Sequence, residues 1–99
     1  MNSHFQDLDK AFENKVRLAI MSLLMVEDQV SYKELKETLK LTDGNLASHA
    51  KALEKLGYLS VIKSFVGRKP HTAYTANKVG IKAFKKHLSA LEKILKSMK

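Results

Sequence analysis

The punctuation between Ser31 and Gly57 constrains this chain more than any other feature. Ser31 followed by Glu34 forms a capping box, in which the hydroxyl accepts from a free amide and the glutamate reaches back. A short helix is therefore expected from about Tyr32 to Lys40, with Leu35 and Leu39 inward. Thr42 is again a helix-starting residue, and Gly57 supplies the left-handed position that ends a helix, which frames another from about Asp43 to Leu56. Only Leu41-Thr42 remains to turn the chain between the two, so they must cross steeply, as a helix-turn-helix.

What flanks this pair is also legible. Upstream, Phe12, Val16, Ala19, Ile20, Leu23 and Leu24 recur at three- and four-residue spacing, giving one apolar helix face from about Asp9 to Val26. Leu8, Leu18, Met21 and Met25 fall partly on another side, so this helix needs two neighbours. Val30 is placed for a stub of strand. Downstream, YLSVIKSFV from Tyr58 to Val66 is dense in β-branched and aromatic residues, which argues a strand. Gly67-Arg68-Lys69-Pro70 is turn chemistry, and His71 to Ala76 returns as a second strand.

A last helix is expected over about 77–98, roughly 33 Å long at 1.5 Å per residue. Along it Ile81, Phe84, Leu88, Leu91, Leu95 and Met98 recur at alternating spacings of three and four. That seam of two positions per heptad is narrower than the face of a helix buried in its own domain, and it suits a second copy of the chain. The fold class expected is mainly α with a small β-hairpin: a winged helix-turn-helix with a three-helix core, a two-stranded wing and a long C-terminal dimerisation helix. Ninety-nine residues make one domain over 1–99, with 44% apolar residues for one modest core and no deep substrate cavity.

Charge is distributed unevenly. Residues 1–59 carry 8 Lys/Arg against 9 Asp/Glu, whereas residues 60–99 carry 10 against 1, so the whole net charge of +8 lies in the last forty positions. Such asymmetry points to a surface that faces a polyanion. No cysteine is present, which excludes disulfides, a thiolate metal site and a cysteine nucleophile, and fits a reducing compartment. The apolar stretch from Leu18 to Val26 is too short to span a bilayer, and MNSHFQDLDK lacks the order of a signal peptide. A cytoplasmic protein with no membrane partner is expected.

The stretch LTDGNLASHAKALEKLGYL resembles the recognition-helix segment of the ArsR and MarR groups of bacterial transcriptional regulators, and YTANKVG resembles the end of their wing and the start of the helix after it. The likeness is strongest to small stand-alone winged-helix regulators near MarR and covers about Phe12 to Leu88. It implies a homodimeric regulator of transcription, with double-stranded DNA as partner and a pseudo-palindromic operator. It also implies a wing used on phosphates or in the minor groove. Two positions depart from the family pattern. Asp43 brings a negative charge to the start of the recognition helix, and Ala47 replaces a residue that is often Ser or Thr.

Helical angles divide the third helix. Leu46, Ala50 and Leu53 cluster on one side, to pack on the first two helices, while Gly44, Ser48, Lys51 and Lys55 lie roughly opposite, flanked by Asn45 and Ala52. Nothing bulky on that opposite side blocks entry into a major groove about 12 Å wide. Asn45 and Ser48 suit base edges, Thr42 and Lys51 suit phosphates, and His49 is a flank contact. Lys63, Arg68, Lys69 and His71 surround the glycine of the wing, with Arg68 the candidate for the minor groove.

His4, His49, His71 and His87 have no close ligand spacing, so no metal or other cofactor is expected, and no catalytic grouping marks an enzyme. A small-molecule effector, if one acts, would occupy the crevice between the dimer helices and the DNA-binding lobe. The alternative reading is a winged helix used as a protein-interaction or RNA-binding module through its basic C-terminal half.

Overall fold

In the computed structural model, which describes residues 3–98, the chain forms four α-helices and a three-stranded antiparallel sheet around one core. Met1, Asn2 and Lys99, the ends of the single domain expected over 1–99, lie outside the described residues. The order is α1 (Lys15–Val26), β1 (Val30–Ser31), α2 (Tyr32–Leu39), α3 (Asp43–Lys55), β2 (Leu59–Val66), β3 (Lys69–Ala76) and α4 (Lys78–Ser97). Two 3-10 helices, Ser3–Asp7 and Lys10–Glu13, precede α1.

The first helix departs from the continuous Asp9–Val26 segment that periodicity indicates. Asn14 is extended, at φ −91° and ψ 126°, and its side-chain oxygen accepts from the amides of both Val16 and Arg17. An asparagine that satisfies two orphan amides is a strong helix start, and here it outweighs the four-residue spacing of Phe12 and Val16. Asp9 caps the preceding short helix by accepting from the Ala11 amide. The chain can thus bend at Asn14 while Phe12 still enters the core.

The helix-turn-helix follows its caps. The Ser31 hydroxyl accepts from the Glu34 amide and the Thr42 hydroxyl from the Asn45 amide. Helix α2 stops at Leu39 because Lys40 turns left-handed (φ 53°), and the amides of Lys40 and Leu41 both donate back to the Lys36 carbonyl. At the end of α3, Gly57 takes φ +78° and the Tyr58 amide returns to the Leu53 carbonyl. This is a Schellman closure, and it delivers the chain straight into β2.

The wing has a third strand. Val30 and Ser31 pair with Tyr74 and Ala73, so the sheet order is β1-β3-β2 and not a simple two-stranded hairpin. The partner of this stub could not be read from a two-residue segment. Strands β2 and β3 pair from Leu59↔Ala76 to Val66↔Lys69 and are closed by Gly67-Arg68 alone. Gly67 has φ +65° and Arg68 does not turn positive, the pattern of a type II′ hairpin turn. Lys69 and Pro70 belong to β3 and not to the turn. Proline is tolerated there because β1 reaches only Ala73 and Tyr74, leaving that edge of β3 open.

Ile20, Met21, Leu35, Leu46, Leu53, Leu59 and Val30 are the most deeply buried side chains. Two come from α1, two from α3 and one each from α2, β1 and β2, so the core is shared by the three-helix unit and the root of the sheet. Phe12 bridges this core to α4, with Phe84 edge-on at 5.2 Å and His87 at 5.4 Å between ring centres. Such tilted pairs are the preferred arrangement of aromatic quadrupoles.

Helix α4 corrects the uniform seam. Phe84 is buried in the core of its own chain and Ile81 is half-buried, whereas Leu88, Leu91, Leu95 and Met98 are exposed. The first two turns of α4 lie against Tyr58, just ahead of β2, and against the N-terminal segment and α1, so the heptad pattern there encodes packing within the chain. Gly80 makes that approach close: a Cβ at this position would lie 2.1 Å from the Tyr58 carbonyl oxygen. Asn77 secures the same corner, donating through its amide to Tyr58 O and through Nδ2 to Gly57 O.

Candidate nucleic-acid interface

The surface of α3 divides as its helical angles require. Leu46, Ala50 and Leu53 are buried, while Gly44, Asn45, Ala47, Ser48, Lys51 and Lys55 are exposed. Across from this face stands one side of the sheet. A groove is lined by Ala47, Ala50, Lys51 and Glu54 of α3, by Val61 and Lys63 of β2, by Thr72 and Tyr74 of β3, and by Tyr32 of α2. Lys51 and Lys63 thereby come to opposite walls of one groove. Beyond it, Arg68 and Lys69 are exposed at the hairpin end, and His71 is half-buried beside Tyr32, Lys33, Pro70 and Thr72.

Thr42 is exposed, and its hydroxyl accepts the cap bond from the Asn45 amide, which leaves its proton free to donate. His49 is half-buried and turned toward α1, where its Nδ1 accepts from Arg17 Nε at 3.1 Å. Its ring is therefore engaged at the flank of the helix, apart from the exposed strip of Asn45 and Ser48. Lys55 lies on the last turn of α3, with its positive charge at the negative end of the helix dipole.

Residue-type reasoning missed a link at the start of α3. The Tyr32 hydroxyl donates to Asp43 Oδ1 at 2.6 Å, and Lys36 Nζ approaches the same oxygen at 3.0 Å. These bonds hold the Asp43 carboxyl below its ordinary range, with the Tyr32 hydrogen bond the larger cause. The Tyr32 phenol is pushed up to about 12 by the same bond. The carboxylate at the start of α3 is thus tied to α2 through Tyr32 and Lys36. The i,i+4 spacing of Tyr32 and Lys36 was the available signal, since it puts both on one side of α2.

A second cluster lies away from the groove. The Tyr58 hydroxyl donates to Asp9 Oδ2 at 2.6 Å, and the Asp9 amide donates to His87 Nδ1 at 2.9 Å. Burial, then the Asp9 carboxylate, pushes the Tyr58 phenol up to about 12. This network ties the N-terminal segment to α4 and β2. Beside it is an open cleft of about 600 Å³ lined in part by Leu8, Lys10, Tyr58, Val79, Lys82 and Lys86. Among the described residues, no three His, Asp or Glu side chains gather as a metal site, and no helix is long and apolar enough to cross a membrane.

Residues 16–95 match the family described as winged helix DNA-binding domain. The chain belongs to that family. An uncharacterized protein of Methanocaldococcus jannaschii, MJ0432, is 34% identical over 89 residues, covering 90% of this chain and 97% of the relative. The winged helix also superposes on a transcriptional regulator homologue of Pyrococcus horikoshii OT3 with a TM-score of 0.83 and 30% identity, covering 90% of this chain and 88% of that one. An ArsR family transcriptional regulator, RHA00566, shares the fold at a TM-score of 0.59 and 16% identity, over 98% and 95% of the two chains. The family places a DNA-binding winged helix over most of the chain, and solved structures that share its fold include transcriptional regulators.

Proposed function

We propose that the chain is a sequence-specific regulator that binds double-stranded DNA as a homodimer, with α3 in the major groove and the wing on the backbone or the minor groove. The observation that carries this is the groove itself. A small, polar, unobstructed helix face and a basic wing front one another, with Lys51 and Lys63 on its two walls. One sugar–phosphate strand between a major and a minor groove fits that arrangement, because both lysines then reach the same strand.

Within this reading Asn45 and Ser48 read base edges, Thr42 donates a hydrogen bond to a phosphate, and Lys51, Lys55, Lys63 and Lys69 neutralise phosphates. Gly44 allows close approach of the helix start, Arg68 takes the minor groove, and His49 and His71 border the contact. Leu88, Leu91, Leu95 and Met98 form the exposed stripe for the second copy, joined by exposed Phe5 on the N-terminal segment. Two recognition helices then meet major grooves about 34 Å apart, one helical turn, so the operator is a pseudo-palindrome. Such a regulator acts in the cytoplasm, and the cleft beside Tyr58 is the place for a small-molecule effector.

The test is selection of bound duplexes from a random pool, followed by binding of the variants. Asn45→Ala and Ser48→Ala should relax the selected sequence. Lys51→Ala should weaken all duplexes alike. Recovery of the same preference by Asn45→Ala and Ser48→Ala would move base readout off α3.

A further inference from the structure

We propose that Phe65 is an apolar wedge that enters the minor groove beside the recognition helix, so that the protein bends its DNA. The inference rests on the DNA-binding reading above and adds a readout that needs no hydrogen bond to a base.

Phe65 is 73% exposed and Val66 is 64% exposed, next to the Gly67-Arg68 turn. A hairpin end made only for solubility would carry polar residues there, because an exposed phenyl gains nothing from the fold. Strand alternation puts Phe65 on the same face as Val61 and Lys63, and register puts Pro70 directly opposite it, on the same face as Thr72 and Tyr74. That face is the one that lines the groove with α3. Phe65 is therefore the outward continuation of the wall that carries Lys63. The fixed ring of Pro70 stands beside it as a stiff backing.

Charge selects the occupant. Lys63 shares the face of Phe65, Arg68 and Lys69 follow at the hairpin end, and no Asp or Glu lies between Glu54 and Glu92. An apolar side chain in an all-cationic setting suits a polyanion with a hydrophobic interior, which describes the base stack of a duplex. Reach agrees. Phe65 lies four residues beyond Val61, about 13 Å of strand. Half a helical turn of DNA, which separates a major groove from the adjacent minor groove, is about 17 Å. A wedge that opens a base step favours flexible pyrimidine–purine steps at that point, and so contributes selectivity at positions no polar side chain touches.

The experiment uses the full chain and a duplex selected by it from random DNA, labelled at both ends for energy transfer. Wild type should shorten the end-to-end distance on binding. Phe65→Ala should bind on the order of tenfold more weakly, the weight of one aromatic–base contact, and leave the DNA straighter. Its salt dependence should be unchanged because no charge is lost, and Phe65→Leu should restore most of the bend. If Phe65→Ala matches wild type in affinity and bend, the wedge is overturned while DNA binding stands, and Phe65 then serves another partner. A reduced salt slope in Phe65→Ala would also overturn it, by showing that the residue only places Arg68 and Lys69. Failure of wild type to select any duplex would remove both readings together.

Discussion

Replacing Gly80 by alanine tests whether the wing and α4 are set by one close backbone contact. The added Cβ would sit 2.1 Å from Tyr58 O and 2.7 Å from the Tyr58 carbonyl carbon and Cα. Ordinary contact begins near 3.4 Å, so the start of α4 must retreat by about 1.3 Å from a backbone that cannot swing aside. That movement strains the bonds from Asn77 to Tyr58 O, at 2.9 Å, and to Gly57 O, at 3.1 Å. Overpacking of this kind costs about 1–3 kcal/mol and two weakened hydrogen bonds up to about 2 kcal/mol. Alanine returns about 1 kcal/mol through its higher helix propensity. At the middle of these ranges the net loss is about 2 kcal/mol, which for a domain of this size lowers the melting temperature by roughly 8–16 °C. Thermal and urea unfolding followed by circular dichroism measure it. A Gly80→Ala variant as stable as wild type, or about 1 kcal/mol more stable, would refute the reasoning, because helix propensity alone would then decide the outcome.

Further outcomes follow from the same structure. Phe84→Ala should cost about 3–5 kcal/mol, because Phe84 fills the core of its own chain. Leu91→Lys with Leu95→Lys should instead leave the fold intact and yield monomers by sedimentation, and a variant that still sedimented as a dimer would place the interface elsewhere. The three tyrosines, Tyr32, Tyr58 and Tyr74, all titrate above the ordinary value of 10, two of them near 12. Phenolate absorbance at pH 10 should therefore fall well short of half its full value in the folded protein. With the folded values raised, the stabilisation is complete below pH 10 and is lost as pH rises toward 12. Half-ionisation at pH 10 would show that the hydrogen bonds to Asp43 and Asp9 are not made.

Much of the fold was legible because its punctuation is local. Ser31, Thr42 and Gly57 act through bonds to residues two to five positions away, so their type and spacing are enough. The split of α3 into Leu46, Ala50 and Leu53 against Asn45, Ser48 and Lys51 is legible for the same reason, since helix geometry alone sets it. Where two local signals competed, the weaker reading came from periodicity: Phe12 and Val16 continue a helical pattern across a point where Asn14 restarts the helix. Phe84 shows a different limit. A three-and-four spacing says that a face is apolar and does not say whether the cover comes from Phe12 or from a second chain. The Tyr32–Asp43–Lys36 link joins two elements whose relative placement depends on the whole core, and so it appears only in three dimensions.

The central claim is that this winged helix binds duplex DNA through lysines and arginine on α3 and the wing, and salt dependence tests it most directly. Binding to a fluorescent duplex selected from random DNA, titrated between about 50 and 200 mM salt, should weaken by orders of magnitude along a straight log–log line. Lys51→Ala and Lys63→Ala should each reduce the slope by about one. Binding that is insensitive to salt, or a slope that neither substitution alters, would contradict the account.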